Sequence, residues 1–95
     1  MKIGESLKQI RNNRKKTQME VCKGMKISQT YLSQVESGLK EPSSPMFRRM
    51  CRYYKVPYQL IVWQSVERKD IQKEKLPAYD LLKPSIDKLI GEILK

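Results

Sequence analysis

The side chains with the most evident chemistry in this 95-residue chain are its basic ones. Lys and Arg number 20 against 10 Asp and Glu, which gives a formal net charge of +10. Residues 1–66 hold 13 basic and 4 acidic side chains, a net +9, whereas residues 67–95 hold 7 and 6, a net +1. Such an excess predicts an anionic partner, either nucleic acid or an anionic membrane surface, bound by the first two-thirds of the chain.

Residue types that support catalysis are scarce. The chain has no histidine, its two cysteines (Cys22 and Cys51) form no CxxC pair, and it has no phosphate-binding glycine loop or nucleophile–base set. We therefore expect no enzyme activity, no metal and no cofactor, and we interpret both cysteines as small buried hydrophobic residues. Residues 1–5 lead into no apolar core, and no run of about 18 apolar residues occurs, so we expect a cytoplasmic protein without a membrane span.

Apolar residues recur at helical spacing and no strand pattern is evident, so the chain is predicted to be all-α. The predicted helices cover about residues 3–13, 18–25, 29–37, 45–54 and 57–66. Thr17 and Glu20 have the spacing of a capping box before the second helix, and Ser28 suits the N-cap of the third. Gly38 is a residue type that commonly ends a helix, which sets the end of the third.

The last third of the chain is predicted to end in an amphipathic helix. Residues 67–75 alternate in charge, which predicts either an extension of the fifth helix or a linker. Pro77 is predicted to break this segment. Pro84 is predicted to start a helix over residues 85–94. Its apolar stripe could dock on the chain's own domain, pair with a second subunit or lie on a membrane. The membrane is the least favoured of these alternatives, because the polar face of the helix is not basic. Because so short a chain has little core, we place a dimer interface, as a hypothesis, at Leu60, Ile61, Trp63, Ile86, Leu89, Ile90 and Ile93.

An ordered set of residues resembles the phage repressor and Cro-like (Xre) helix-turn-helix family. The set is Thr17-Gln18, Ile27-Ser28, Tyr31-Leu32-Ser33, Glu36-Ser37-Gly38 and Pro42-Ser43. The resemblance covers residues 3–66 and implies a five-helix repressor-like DNA-binding domain over 1–66, with 67–95 as a C-terminal extension. The family usually has glycine in the tight turn where this chain has Lys26, so either Lys26 adopts a positive φ or the turn differs.

The resemblance implies roles for individual residues. Residues 29–37 would be the recognition helix in the major groove, and its candidate base contacts are Gln29, Thr30, Ser33 and Gln34. The candidate contacts to the DNA backbone are Gln18, Ser37 and Lys40, and the basic run adds Arg14 and Lys15, which could equally be a solvated charge cluster. Arg11 and Glu36 match positions that form a mostly buried ion pair in some family members.

The resulting prediction is a homodimeric transcriptional regulator, of the repressor type, on a partly palindromic double-stranded DNA site. The half-sites would be about one helical turn apart. The alternative is an antitoxin or bridging factor with the same fold, in which residues 67–95 bind a protein partner.

Overall fold

The computed structural model describes residues 2–95, which fold into six α-helices. They are α1 (Ile3–Asn13), α2 (Gln18–Met25), α3 (Gln29–Ser37), α4 (Ser44–Tyr54), α5 (Tyr58–Ser65) and α6 (Leu76–Leu94). Two single turns of 3-10 helix, Arg68–Asp70 and Lys73–Lys75, connect α5 to α6. Residues 2–95 contain no strand, so the all-α prediction is confirmed. In the same stretch, no helix combines the length and the apolar character needed to cross a membrane.

Local hydrogen bonds fix the starts of α2 and α3. Thr17 Oγ1 accepts from the Glu20 amide at 3.1 Å, and Glu20 Oε1 accepts from the Thr17 amide at 3.0 Å, which is the predicted capping box. The hydrogen bond from the Thr17 backbone lowers the pKa of Glu20 below its ordinary value. Ser28 Oγ accepts from the Tyr31 amide at 3.0 Å and caps α3. Both starts are therefore set by residues within three positions of each other, which is why sequence alone locates them.

The turn between α2 and α3 keeps a left-handed residue although it lacks the usual glycine. Lys26 has φ 58° and ψ 47°, and its amide donates to the Cys22 carbonyl at the end of α2. A left-handed conformation costs an L-residue with a Cβ about 1–2 kcal/mol. The sequence left open whether Lys26 adopts a positive φ or the turn differs from that of the family, and in the structure Lys26 adopts the positive φ.

One hydrophobic core joins all six helices. Its buried members are Leu7, Ile10, Val21, Cys22, Met25, Leu32, Val35, Phe47, Met50, Cys51, Tyr54, Val56, Ile61, Ile90 and Leu94. The last two come from α6, so the C-terminal helix docks on the rest of the chain, which was one of the alternatives for its apolar stripe.

The prediction for the start of the C-terminal helix was wrong. Pro77 does not break a helix but lies in the first turn of α6, where no intrahelical amide donor is needed. Pro84 does not open a helix but lies inside α6, where it leaves the Asp80 carbonyl without its helical donor. Both Pro84 and Asp80 are exposed, so water can bind that carbonyl. Burial of Tyr79 and Ile90 on either side of Pro84 favours one continuous helix.

Candidate nucleic-acid interface

Five polar side chains predicted to contact DNA lie together at one surface. They line a shallow open concavity of about 330 Å³ and are Gln18, Gln29, Thr30, Ser33 and Gln34. Gln29, Thr30 and Ser33 are exposed, whereas Gln34 and Gln18 are half-buried. The four candidate base contacts of α3 and the first residue of α2 therefore share one accessible face.

The two helices that carry this face are held from behind by small and apolar side chains. Val21, Cys22 and Met25 of α2 and Leu32 and Val35 of α3 are buried in the core. Cys22 is a free thiol, and burial raises its pKa above the ordinary value. It therefore packs as a small neutral residue between the helices, as the sequence suggested.

A close approach between α1 and α3 also helps to position the face. A Cβ built on Gly4 would overlap the carbonyl oxygen of Val35, a backbone atom that cannot rotate away. Glycine at this position lets the start of α1 lie directly against the backbone near the end of α3. Any larger residue would have to displace α1 or α3.

A buried ion pair ties α1 to the end of α3. Arg11 Nε donates to Glu36 Oε2 at 2.8 Å, and Arg11 Nη2 donates to Glu36 Oε1 at 3.0 Å. The two side chains are 10% and 2% exposed. The hydrogen bond to Glu36 raises the pKa of Arg11. Arg11 Nη1 also donates to the Lys16 carbonyl at 2.8 Å, so the same guanidinium fixes the connection that leads into α2.

Gln18 belongs to this network, which sequence reasoning missed. Its Nε2 donates to Glu36 Oε1 at 3.0 Å. One side-chain N–H is thus committed inside the protein, and the second N–H and the amide oxygen remain for other partners. Glu36 therefore orients Gln18 at the concavity besides holding Arg11, and only the packing of α2 against α3 could reveal this contact.

The other residues predicted to contact the DNA backbone lie outside this concavity, and their side chains have different environments. Lys15 and Lys40 are exposed, and Lys40 Nζ lies 5.8 Å from the centre of the Tyr31 ring on α3. Ser37 Oγ donates to the Gln34 carbonyl at 3.1 Å within α3. Arg14 is directed elsewhere, because its Nη1 donates to the Leu94 carbonyl at the end of α6 at 3.3 Å. The structure therefore gives Arg14 a role in docking α6, which sequence reasoning did not foresee.

Comparison of the sequence with known proteins identifies the family of this domain. A family model described as "Helix-turn-helix domain" matches residues 2–61, which include α1 to α4 and the start of α5. The chain belongs to the helix-turn-helix family of DNA-binding domains. Within the matched span, α2, the turn at Lys26 and α3 follow one another in the order helix, turn, helix.

Curated relatives extend over the same region. "Transcriptional regulator ClgR" of Mycobacterium tuberculosis, in strain CDC 1551 / Oshkosh and in strain ATCC 25618 / H37Rv, is 32% identical over 66 residues. The match covers 70% of this chain and 59% of each relative, so the chain spans less than two-thirds of the relatives' length. No solved structure matches.

The residues predicted to form a dimer interface lie in three different environments around the helix-turn-helix domain. Ile61 and Ile90 are fully buried in the chain's own core, so they are not available to a second subunit and that part of the prediction is wrong. Leu60, Trp63 and Ile86 are half-buried against the core. Leu89 and Ile93 are exposed, as is Leu82, which sequence reasoning missed because Pro84 was taken as the start of the helix.

Proposed function

We propose that this chain is a sequence-specific, double-stranded DNA-binding transcriptional regulator of the phage repressor and Cro-like (Xre) kind, which acts as a homodimer with α3 in the major groove. The observation that carries the proposal is the shared concavity of Gln18, Gln29, Thr30, Ser33 and Gln34. Gln29 and Thr30 begin α3, at the end of a recognition helix that reaches base edges, and Ser33 and Gln34 lie about one turn further along it.

The side chains of this surface suit the chemistry of the major groove. A glutamine amide can pair with N6 and N7 of adenine in two hydrogen bonds, and a threonine methyl can contact the methyl of thymine. Gln29 and Gln34 supply two amides, and Thr30 supplies the methyl. Gln18, at the N-terminus of α2, is in place to donate to a DNA phosphate, where the helix dipole favours negative charge.

Affinity for the duplex would come chiefly from the charge of the domain. Lys15 and Lys40 are exposed in the segments that follow α1 and α3, and residues 1–66 carry a net +9. Contacts of Lys and Arg to phosphates release counterions, so binding weakens steeply with salt. The regulatory role is supported by the matched relatives, whose printed name is "Transcriptional regulator ClgR". Such a regulator would act where its DNA is, in the cytoplasm.

The docking of α6 counts against the partner-arm alternative, in which residues 67–95 bind a different protein. Ile90 and Leu94 of α6 are buried against the helix-turn-helix domain, so this segment is not a free arm. The apolar side chains that α6 leaves exposed, Leu82, Leu89 and Ile93, would suit a second copy as well as another protein and do not by themselves favour the alternative. The DNA-binding regulator is therefore the function that the geometry supports best.

Selection from a random duplex library at near-physiological salt tests the proposal. We expect enrichment of a partly palindromic sequence with half-sites about one helical turn apart. The variant Gln29→Ala/Gln34→Ala should lose that enrichment and retain salt-sensitive binding to any duplex, because phosphate contacts are independent of sequence. The matched control is Gln59→Ala/Gln72→Ala, which removes two exposed amides outside the concavity and should select the same sequence as the unmodified chain.

Two results would contradict the proposal. The first is that no sequence is enriched although the protein is folded. The second is that the variant altered at positions 29 and 34 enriches the same sequence as the unmodified chain, since the bases would then be read by other residues.

A further inference from the structure

The outer face of α6 carries an apolar stripe that residues 2–95 leave about half exposed. Leu82, Leu89 and Ile93 are 53%, 59% and 48% exposed. With 3.6 residues per turn, these three side chains align along the helix roughly a quarter of a turn from Tyr79, Ile90 and Leu94, which face the core. Ala78 and Ser85 are exposed on the same side and are small. The stripe contains no charged residue.

Four positions of the stripe, Ala78, Leu82, Leu89 and Ile93, are spaced symmetrically about one point. Leu82 and Leu89 are equally far from the point between Ser85 and Ile86, and so are Ala78 and Ile93. A two-fold interface requires this property, because residue i must contact residue j of the second copy while j contacts i. A different protein as partner would impose no such symmetry on the stripe.

Charge also favours α6 as the place where two copies meet. Residues 1–66 carry a net +9, so two copies that associated through this part would bring strongly positive surfaces together. Residues 76–94 hold Lys83 and Lys88 against three acidic side chains, Asp80, Asp87 and Glu92, which gives a net −1. Two of the acidic groups already have partners off the stripe: Asp80 with Arg68 at 3.0 Å and Asp87 with Lys83 at 2.6 Å.

We propose that two copies of the chain pair through α6 as an antiparallel helix pair whose two-fold axis passes between Ser85 and Ile86. In this register Leu82 of one copy packs on Leu89 of the other, and Ala78 packs on Ile93. Ser85, the small residue nearest the axis, lets the two helices approach closely where they cross. The inference rests on the proposed homodimer and gives it an interface, with α6 of each copy held on its own domain by Ile90 and Leu94.

Charged substitutions on the full chain test the interface and its register together. Sedimentation velocity over a range of concentrations, without DNA, should show a dimer for the unmodified chain. Leu82→Glu alone and Leu89→Lys alone should each raise the dissociation constant by about a hundredfold or more, because each change enters the interface twice. Leu81→Glu is the matched control, since Leu81 is more exposed than either and lies off the stripe, so its dimer should persist.

The combined variant Leu82→Glu/Leu89→Lys distinguishes the antiparallel register from a parallel one. In the antiparallel pair the carboxylate introduced at position 82 faces the ammonium introduced at position 89 of the second copy, twice per dimer. Dimerisation should then recover by about tenfold or more over either single variant. In a parallel pair like charges would face each other and no recovery would occur. All three side chains are exposed, so thermal unfolding by circular dichroism should show each variant folded.

The inference is overturned if the unmodified chain stays monomeric at every concentration, if both single variants dimerise as well as the control, or if the combined variant fails to recover. Binding of the folded Leu89→Lys variant to DNA with a single half-site distinguishes a failure of the proposed interface from a failure of the proposed DNA recognition. A monomer that still binds a half-site leaves the role of α3 intact whatever the sedimentation shows. Normal dimerisation with no sequence preference would instead contradict the role of α3 and leave the interface standing.

Discussion

Replacing Arg11 by methionine should destabilise the fold by far more than a surface ion pair could account for. The change removes two hydrogen bonds from Glu36, whose side chain is 2% exposed, and one from the Lys16 carbonyl. Stranding one charge of a buried pair costs about 3–5 kcal/mol. A domain of this size has a total unfolding free energy of about 5–14 kcal/mol, so the variant should lose about a fifth of its stability or more.

Urea unfolding followed by far-ultraviolet circular dichroism measures this loss. Arg68→Met is a matched control, because Arg68 donates to Asp80 in the same two-bond geometry, at 3.0 and 3.1 Å, with both side chains exposed. That pair is open to solvent, so its removal should cost much less than removal of Arg11. The double variant Arg11→Met/Glu36→Leu should recover most of the loss, since no buried charge is then left unpaired.

The reasoning would be refuted by either of two results. One is an Arg11→Met variant no less stable than Arg68→Met. The other is a double variant as unstable as the sum of the two single changes, because additivity would mean that Arg11 and Glu36 do not interact. Arg11→Met should also weaken DNA binding more than Arg68→Met under conditions where both are folded, since the network orients Gln18 at the concavity.

Three further predictions follow from the backbone and from one buried thiol. Lys26→Gly should raise the unfolding free energy by about 1 kcal/mol in urea titration, because glycine adopts φ 58° without strain; an unchanged or lower value would contradict this. Gly4→Ala should lower the midpoint of thermal unfolding because its Cβ meets backbone, whereas Gly91→Ala, in open space inside α6, should stabilise by about 1 kcal/mol; equal effects would refute the close approach. Burial raises the pKa of Cys51 from 9.0 to about 11, so the neutral thiol is favoured in the fold, and stability should fall as pH rises between these values. Cys51 should accordingly react slowly with a thiol reagent at pH 8 until the chain is unfolded; fast reaction of the native protein would contradict its burial.

The first five helices could be predicted because their boundaries depend on neighbouring residues. The capping box of Thr17 and Glu20 and the Ser28 cap each involve positions three apart, and Gly38 ends α3 with φ 84°. The face of α3 could be predicted because helical spacing alone places Gln29, Ser33 and Thr30 together. A family resemblance then gave those side chains a role that spacing does not.

The start of the C-terminal helix could not be predicted because tertiary packing decides it. Local rules make Pro84 a helix start, yet burial of Ile90 and Tyr79 against the domain favours a helix that continues through it. The same limit explains two long-range contacts that the sequence did not predict. Arg14 reaches the Leu94 carbonyl, 80 positions away, and Gln18 reaches Glu36, 18 positions away.

The interface prediction was wrong in part for the same reason. A helical stripe identifies which residues are apolar, but it does not say which of two adjacent faces turns inward. Ile90 faces the core and Leu89 faces solvent, although they are neighbours in one apolar run. Only the position in which α6 docks determines that Ile90 is buried and Leu89 is exposed.

The central claim is that the glutamine amides of α3 read bases. The ratio of the affinities for a specific and a scrambled duplex tests it most directly. Fluorescence anisotropy at near-physiological salt would compare a selected duplex with a scrambled one of equal composition, for the unmodified chain and for Gln29→Ala/Gln34→Ala. The account predicts a ratio of about a thousandfold or more for the unmodified chain, and its reduction by about thirtyfold or more in the variant, with affinity for the scrambled duplex unchanged. Equal affinity of the unmodified chain for both duplexes, or an equal loss on both in the variant, would contradict it.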